Sequence, residues 1–447
     1  MDGAAVASAC GIFHTTTTAL GAIVINTTRR GWIVTFAGLG INLALGILYS
    51  WSVIAKTLSK PLEQGGWGWT AGQASIPYAM AVGTFAISMV FAGHAQDRFG
   101  PRIVASIGGA LCGAGLLVAS LGSVGSPLPI MVGFGLLTGV GIGLGYAAAT
   151  PAAVKWFPPS RKGFITGLVV AGFGLASVYI APMTTWLLET NQVSGTFRIL
   201  GAAFFVVTVG LAQLIRNPPA GYLPAEHETM RRSSESASSG VDYDWREMLR
   251  TRQFALLWLM YAFAAFAGLM IIGHMAKIAA GQLPALDLGF LLVAVLAIGN
   301  AAGRVVAGIT ADRIGGIRTM FVVFVLQALM MGALAISRSP LALIPVAAAV
   351  GFCYGANLSL FPSTTAGYFG TKHLGVNYGL VFTAWGFGGV FGSMTAGTIV
   401  DQTGTYAVAY GIAAALCIVA AGLTFITRPP TPLAEPVLLP LPAQDAA

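Results

Sequence analysis

Along this chain, apolar runs long enough to cross a bilayer recur from one end to the other, separated by short polar turns. A hydrocarbon core about 30 Å thick takes about 20 apolar residues as a helix. Inside it every backbone N–H and C=O must be bonded within the protein, which leaves helices as the fold for runs of this length. Twelve spans are expected, at 31–55, 74–93, 103–123, 129–152, 163–188, 196–215, 253–275, 288–310, 317–337, 340–363, 376–400 and 406–427. Charge supports the reading, since only 9% of residues are charged against roughly 25% in soluble domains. The 59 glycines sit inside the apolar runs, as in membrane helices that pack closely. The expected fold class is an all-α membrane protein of twelve transmembrane helices.

One long polar gap, from Asn217 to Arg250, contains the run RRSSESASSG and divides six spans from six. It predicts a flexible linker at 217–252 between halves at 31–216 and 253–428, with a lead at 1–30 and a tail at 429–447. The lead has Asp2 where a signal peptide would carry Lys or Arg, so it is expected to be a poorly ordered cytoplasmic segment rather than a cleaved signal. Of the 23 Lys and Arg residues, 17 fall on one side of the predicted spans and 5 on the other (Lys56, Lys60, Arg198, Lys277 and Arg338), with Arg304 left inside a span. Basic residues stay on the cytoplasmic side, so both termini are expected there, in an inner-membrane protein with a monomer as the functional unit.

Between spans two and three the sequence reads Gly93-His-Ala-Gln-Asp97-Arg98-Phe99-Gly100-Pro101-Arg102. Between spans eight and nine it reads Gly308-Ile-Thr-Ala-Asp312-Arg313-Ile314-Gly315-Gly316-Ile317-Arg318. The two Arg residues lie 215 positions apart (313 − 98), about half the chain. A half repeated in the same topology implies two bundles related by an axis along the membrane normal. The glycines permit a tight turn at the membrane face, and each Asp is able to cap a helix or to pair with Arg. This loop resembles the signature loop of the major facilitator superfamily, which implies two pseudo-symmetric six-helix bundles. Asp97, Arg98, Arg102, Asp312, Arg313 and Arg318 are then expected to govern conformational change.

Further stretches narrow the resemblance. Tyr49-Ser50-Trp51 ends the first span, Lys155-Trp156-Phe157-Pro158-Pro159-Ser160-Arg161-Lys162-Gly163 joins spans four and five, Leu360-Phe361-Pro362-Ser363-Thr364 ends the tenth, and Asn377-Tyr378-Gly379 opens the eleventh. From Gly31 to Arg428 the chain is similar to the oxalate:formate antiporter family and its bacterial monocarboxylate-transporter relatives. The resemblance implies carriage of small carboxylates. By position it implies Tyr146, Tyr354, Tyr49 and Trp51 as lining of the site. In the oxalate antiporter a lysine on the eleventh span makes a second cationic contact, and alignment on Asn377-Tyr378-Gly379 puts Trp385 there.

Arg304 leads to the same substrate class from its chemistry alone. An arginine at depth costs about 2.5–3.5 kcal/mol on insertion scales, so it faces the bundle interior and meets an anion or acceptors. Its planar fork matches a carboxylate in a way that lysine does not. Asn300 lies at i−4 on the same helix face. Some monocarboxylate transporters carry Asp there, and the neutral side chain leaves the charge of Arg304 to a substrate. His274 is the remaining candidate to carry a coupled proton, and Lys277 is expected to gate or to snorkel outward. One fixed cation balances one carboxylate, so a monocarboxylate is favoured over a dianion. The glycine ladders Gly135-Gly139-Gly143 and Gly388-Gly392 are expected to be faces on which the bundles slide.

The four cysteines, Cys10, Cys112, Cys353 and Cys417, have no disulfide or metal spacing. The sequence offers no nucleophile–base pair and no nucleotide motif, so no enzyme activity and no cofactor are expected. Its basic residues form no stripe for nucleic acid. The partners expected are a small carboxylate anion, the lipid bilayer and, as a candidate coupling ion, the proton. An oxalate/formate-type dicarboxylate antiporter and a multidrug efflux carrier remain alternatives, as do symport, exchange and uniport among modes.

Overall fold

The structure is a computed structural model and describes residues 29–219, 222, 242–272, 274–283, 286 and 288–430. Most of the expected lead, tail and linker lies outside the described residues, as does Cys10; Arg29 and Arg30, expected in the lead, already belong to the first helix. Helix α1 covers Arg29–Leu58 and tightens to a 3₁₀ turn at Gly46–Ser50. Then come α2 (Ala71–Phe99), α3 (Pro101–Ala119) and α4 (Leu128–Val154). In the second half, α7 is Arg252–Ile272, α8 Gly289–Ile314, α9 Gly316–Ile336, α10 Pro340–Phe369, α11 Leu374–Thr403 and α12 Ala407–Thr424.

Between α4 and α7 runs one element, Lys162–Ala212, of 51 residues. Straight, it would be about 75 Å long, more than twice the thickness of the hydrocarbon core. It breaks at Gln192, whose φ of 58° and ψ of −176° are non-helical, into α5 (162–191) and α6 (193–212). The sequence predicts a loop between residues 188 and 196; the structure confines the break to one residue. Among the described residues eleven elements are long and apolar enough to cross a membrane, and this one supplies two crossings. The result is the expected all-helical fold of two six-helix bundles.

The internal repeat is written into the backbone. Gly100 ends α2 at φ 83°, ψ 160°, and Gly315, also 215 positions on, ends α8 at φ 93°, ψ 147°. A side chain is disfavoured at positive φ, so each signature loop turns on the residue suited to it. α3 and α9 then begin within one residue.

The two bundles meet along α2–α11 and α5–α8, on the half that carries the basic loops. There the backbones touch. A β-carbon at Gly93 would lie 2.1 Å from the Gly375 carbonyl oxygen, and one at Gly163 would lie 2.3 Å from that of Gly308. The expected sliding faces need correction. Gly135, Gly139 and Gly143 pack on Met80, Thr84 and Ser88 of α2, and Gly388 and Gly392 on Ala265 and Phe266 of α7. Both ladders therefore lie inside a single bundle. Regular small-residue spacing marks any close helix pair and does not say which pair moves.

Candidate functional site

Arg304 of α8 has no solvent exposure. Its Nε donates to Asn300 Oδ1 at 3.0 Å, and Nη1 donates to the Val170 carbonyl oxygen of α5, in the other bundle. Its Nη2 is buried without a hydrogen-bond partner. Gly174 lies beside it, where a β-carbon would come within 3.2 Å of Arg304 Nε. Both partners are neutral acceptors, so the guanidinium brings an uncompensated positive charge into the molecule's centre. Burial without a counter-ion is costly, and an anion on the open Nη2 edge would offset it. Asn300 holds the Nε edge and thereby sets which edge is turned to the interior.

Around this group stands a shell of rings drawn from both bundles, with Phe382 of α11 at its hub. Its ring centroid lies 5.3 Å from Phe85 of α2, 5.7 Å from Tyr146 of α4 and 6.3 Å from Tyr261 of α7. Along α11 it lies 5.7 Å from Tyr378 and stacks on Trp385 at 4.9 Å. Trp385 Nε1 donates to the Tyr354 hydroxyl of α10 at 2.9 Å. Tyr49 stands edge-on to Phe173 at 5.6 Å, as does Tyr146. Of the sequence candidates the structure therefore brings Arg304, Asn300, Tyr146, Tyr354, Trp385 and Tyr49 together.

Trp51 is set apart. Its indole donates to the Ala74 carbonyl at 2.8 Å and packs on Phe134 at 4.4 Å, inside the first bundle. Sequence reasoning missed Tyr261, Phe382 and Tyr378. The last stands in the Asn377-Tyr378-Gly379 motif, and the spacing 378, 382, 385 falls on one helix face.

At the basic face the two signature carboxylates act as helix caps across the bundle interface. Asp312 of α8 accepts the Gly163 and Phe164 N–H groups of α5 at 2.8 Å each. Asp97 of α2 accepts the Val376 N–H of α11 at 3.3 Å. Of the two roles the sequence left open, the structure shows capping. Arg102 Nε donates to Gln213 Oε1 of α6 at 2.8 Å, within its own bundle. Arg98, Arg313 and Arg318 are exposed.

Residues just before α7 dock here too. The Asp242 carboxylate accepts the Lys372 N–H at 3.1 Å, and Tyr243, 1% exposed, is held by Phe369 and Asn377. Burial pushes the Lys155 ammonium below the ordinary lysine range, while Asp97 and Asp242 act in the opposite sense.

On the other face, His274 lies 3.1 Å from the Tyr406 hydroxyl through Nδ1, away from the rings around Arg304. Lys277 is in the helix Met275–Gln282; its side chain lies outside the described residues. Among the described residues no group of His, Cys, Asp and Glu is placed to hold a metal ion.

Two like bundles, joined at one face around a buried cation, are the architecture of a membrane carrier. The model of the Major Facilitator Superfamily matches residues 31–290 and 275–443, and the chain belongs to that superfamily. It is 31% identical over 373 residues to an uncharacterized MFS-type transporter, YhjX, of Escherichia coli K12, covering 82% of this chain and 87% of that protein. It is 29% identical to the oxalate:formate antiporter of Oxalobacter formigenes (84% and 86% covered) and 25% identical to monocarboxylate transporter 13 of Bos taurus (89% of each). In fold it is like the proton:xylose symporter XylE, with TM-score 0.68, 14% identity and 90% and 96% covered. The chain is thus a transporter and not an enzyme.

Proposed function

We propose that this protein is a secondary transporter of small monocarboxylates, working by alternating access in the inner membrane as a monomer, with the basic face and both termini cytoplasmic. The observation that carries the reading is Arg304, fully buried, bonded to neutral acceptors, and with Nη2 buried and without a hydrogen-bond partner. A carboxylate supplies the charge and the acceptors that this group lacks. Two relatives, an oxalate:formate antiporter and a monocarboxylate transporter, support the substrate class by what they carry. The dicarboxylate reading is the weaker one, because Trp385 is neutral and, among the described residues, no second cation stands in the ring shell. Multidrug efflux of lipophilic cations would call for a buried acid in place of the arginine.

The test is uptake of labelled lactate by the purified protein in proteoliposomes. Arg304→Lys and Arg304→Ala are expected to lower uptake at least about 100-fold, the loss of a charge-assisted bond of about 3 kcal/mol, while leaving the protein folded and inserted. Saturable uptake at the wild-type level in either variant would remove Arg304 from the site. Equal rates with and without lactate inside the vesicles would favour uniport or symport; dependence on internal anion would favour exchange.

A further inference from the structure

A cleft of about 380 Å³ opens on the basic face between the start of α1 and the chain that leaves α6, a size that suits a small ligand. Deeper in, α1 and α6 are closely packed: a β-carbon at Gly40 would lie 2.7 Å from Leu211 Cδ1. Nearer the face, about 15 Å back along α1, Arg30 and Arg216 line the gap together with the buried Trp156. Both arginines are exposed, and among the described residues the lining contains no Asp or Glu. Nor do α1 and α6 themselves. The cleft thus holds two positive charges and no acid of its own. None of these residues belongs to the ring shell around Arg304, so the cleft is independent of what that centre carries.

Its neutral polar walls are already engaged. Gln213 donates through Nε2 to Ser106 Oγ at 3.1 Å and to the Val209 carbonyl at 3.0 Å, and accepts from Arg102 through Oε1. The Trp156 indole donates to the Arg216 carbonyl at 2.8 Å, and Tyr222 packs on its ring at 5.4 Å. These bonds pin the chain after α6 to the body of the first bundle, so the cleft is formed before any ligand arrives, which lowers the entropic cost of binding. The two guanidinium groups are what it has left to offer. Its other walls include Ile33 and Leu214, both exposed, and the exposed surface continues along the same helices as Phe36 and Val207. On a membrane helix, exposed apolar side chains of this kind meet lipid tails.

We propose that this cleft binds an anionic phospholipid of the leaflet at the basic face, its phosphate held by Arg30 and Arg216 and an acyl chain laid along Ile33 and Leu214. The planar fork of arginine suits phosphate oxygens, and basic pockets between membrane helices are where anionic head groups dock. Tryptophan belongs at the same level, its ring apolar and its N–H polar. A free phosphate would meet the same arginines and leave the apolar walls unused. A phospholipid presents charge and hydrocarbon in the order in which the cleft presents cations and apolar side chains.

The test titrates delipidated full-length protein with phosphatidylglycerol, with phosphatidylcholine of the same chains and with glycerol phosphate, and counts bound lipid by native mass spectrometry. The wild type is expected to hold one phosphatidylglycerol at least about tenfold tighter than phosphatidylcholine, and glycerol phosphate is expected not to displace it. Arg30→Gln and Arg216→Gln are each expected to weaken that lipid about fivefold, and together about 25-fold. Leu214→Trp keeps both charges and fills the gap, and is expected to weaken it as well. Arg250→Gln with Arg252→Gln, exposed arginines at the start of α7, is expected to leave it unchanged. Phosphatidylcholine binding, measured on every variant, separates loss of the site from loss of the fold. Equal affinity for the two lipids, or undiminished phosphatidylglycerol binding in the Arg30→Gln, Arg216→Gln protein, would overturn the site. An equal loss in the α7 variant would reduce it to general surface charge, and displacement by glycerol phosphate would make it a site for soluble anions; either result overturns the proposal.

Discussion

Asp312 and Phe164 belong to different bundles, yet the carboxylate of one accepts the backbone N–H of the other at 2.8 Å, with the Gly163 N–H on its second oxygen at the same distance. The first turn of α5 has N–H groups with no partner in its own helix, and a carboxylate there gains from both the bonds and the helix dipole. Asp97 does the same for α11 through Val376. These caps tie the bundles at the basic face, and opening at that face must break both.

Asp312→Ala removes one tie without touching the rings around Arg304. A cap of this kind is worth about 1 kcal/mol, so the basic-face-open population is expected to rise roughly fivefold. Spin labels at Phe99→Cys and Lys372→Cys, exposed positions of opposite bundles on that face, in a background without native cysteines, report it as growth of the long-distance peak. An unchanged distance distribution would show that the cap does not govern opening.

The segment before α7 makes a second, separable prediction. Asp242 is bonded in the second bundle to Lys372 N–H, while Lys155 and Lys162 of the first bundle lie within its electrostatic reach. It therefore bridges the interface through charge rather than through a direct bond. An exposed pair is worth about 0.2–1 kcal/mol and is screened by salt. Asp242→Asn is thus expected to widen the same label distance only slightly, and less at 1 M salt than at 50 mM. Tyr243→Ala is expected to destabilise the protein by about 3 kcal/mol, since its ring is buried against Phe369. A similar effect of Asp242→Asn at both salt levels would rule out a Coulombic bridge.

The spans and the repeat were legible because they rest on composition along the chain: apolar length fixes a crossing, and two loops 215 positions apart fix a duplication. Arg304 was legible because a cation in an apolar run has only the interior to go to. Tyr261 and Tyr378 were not. A tyrosine in an apolar helix reads alike whether its ring faces lipid, the interface or the centre, and which way it faces depends on how the helix is rotated in its bundle. The resemblance put Trp51 with the site by position, and ignorance of rotation put the regular glycine ladders on the moving seam. That seam is made by Gly93, Gly163, Gly167, Gly308, Gly375 and Gly379, each set against backbone of the other bundle; the pairs 163/167 and 375/379 have the same i, i+4 spacing as the static ladders, so spacing does not tell the two apart. Gln192 gave no signal either, since a one-residue break leaves the apolar pattern on both sides intact.

Coupling can be tested on the opposite face. His274, just after α7, and Tyr406, just before α12, meet there, apart from Arg304. If His274 carries the proton, His274→Gln retains counterflow of labelled lactate and loses the accumulation driven by an inward proton gradient. A drop to the level without a gradient, with exchange kept within about twofold, is the expected outcome. Accumulation equal to the wild type would place the proton on the substrate or remove it from the cycle.

Trp385 offers the strictest test of selection by charge. It is 7% exposed, stacks on Phe382 and donates to Tyr354, and among the described residues the shell it closes holds one cation, Arg304. A monoanion leaves the loaded centre near neutral, whereas a dianion leaves about one negative charge uncompensated. Trp385→Lys adds a second cation, opens the volume of the indole and frees the Tyr354 hydroxyl. A close charge pair is worth about 4 kcal/mol at an effective dielectric near 20, and burying the ammonium takes back a large part of it. The remainder is expected to strengthen inhibition by oxalate at least about tenfold relative to lactate, because a second cation attracts two carboxylates more than one. The stack on Phe382 is lost as well, so the melting temperature is expected to fall in the unliganded variant and to recover on adding oxalate, as binding to the folded state requires. Inhibition curves for oxalate and lactate on both proteins decide the matter. A wild type that already prefers oxalate, or a folded variant with no shift toward it, would show that selectivity here is set by something other than the count of buried cations.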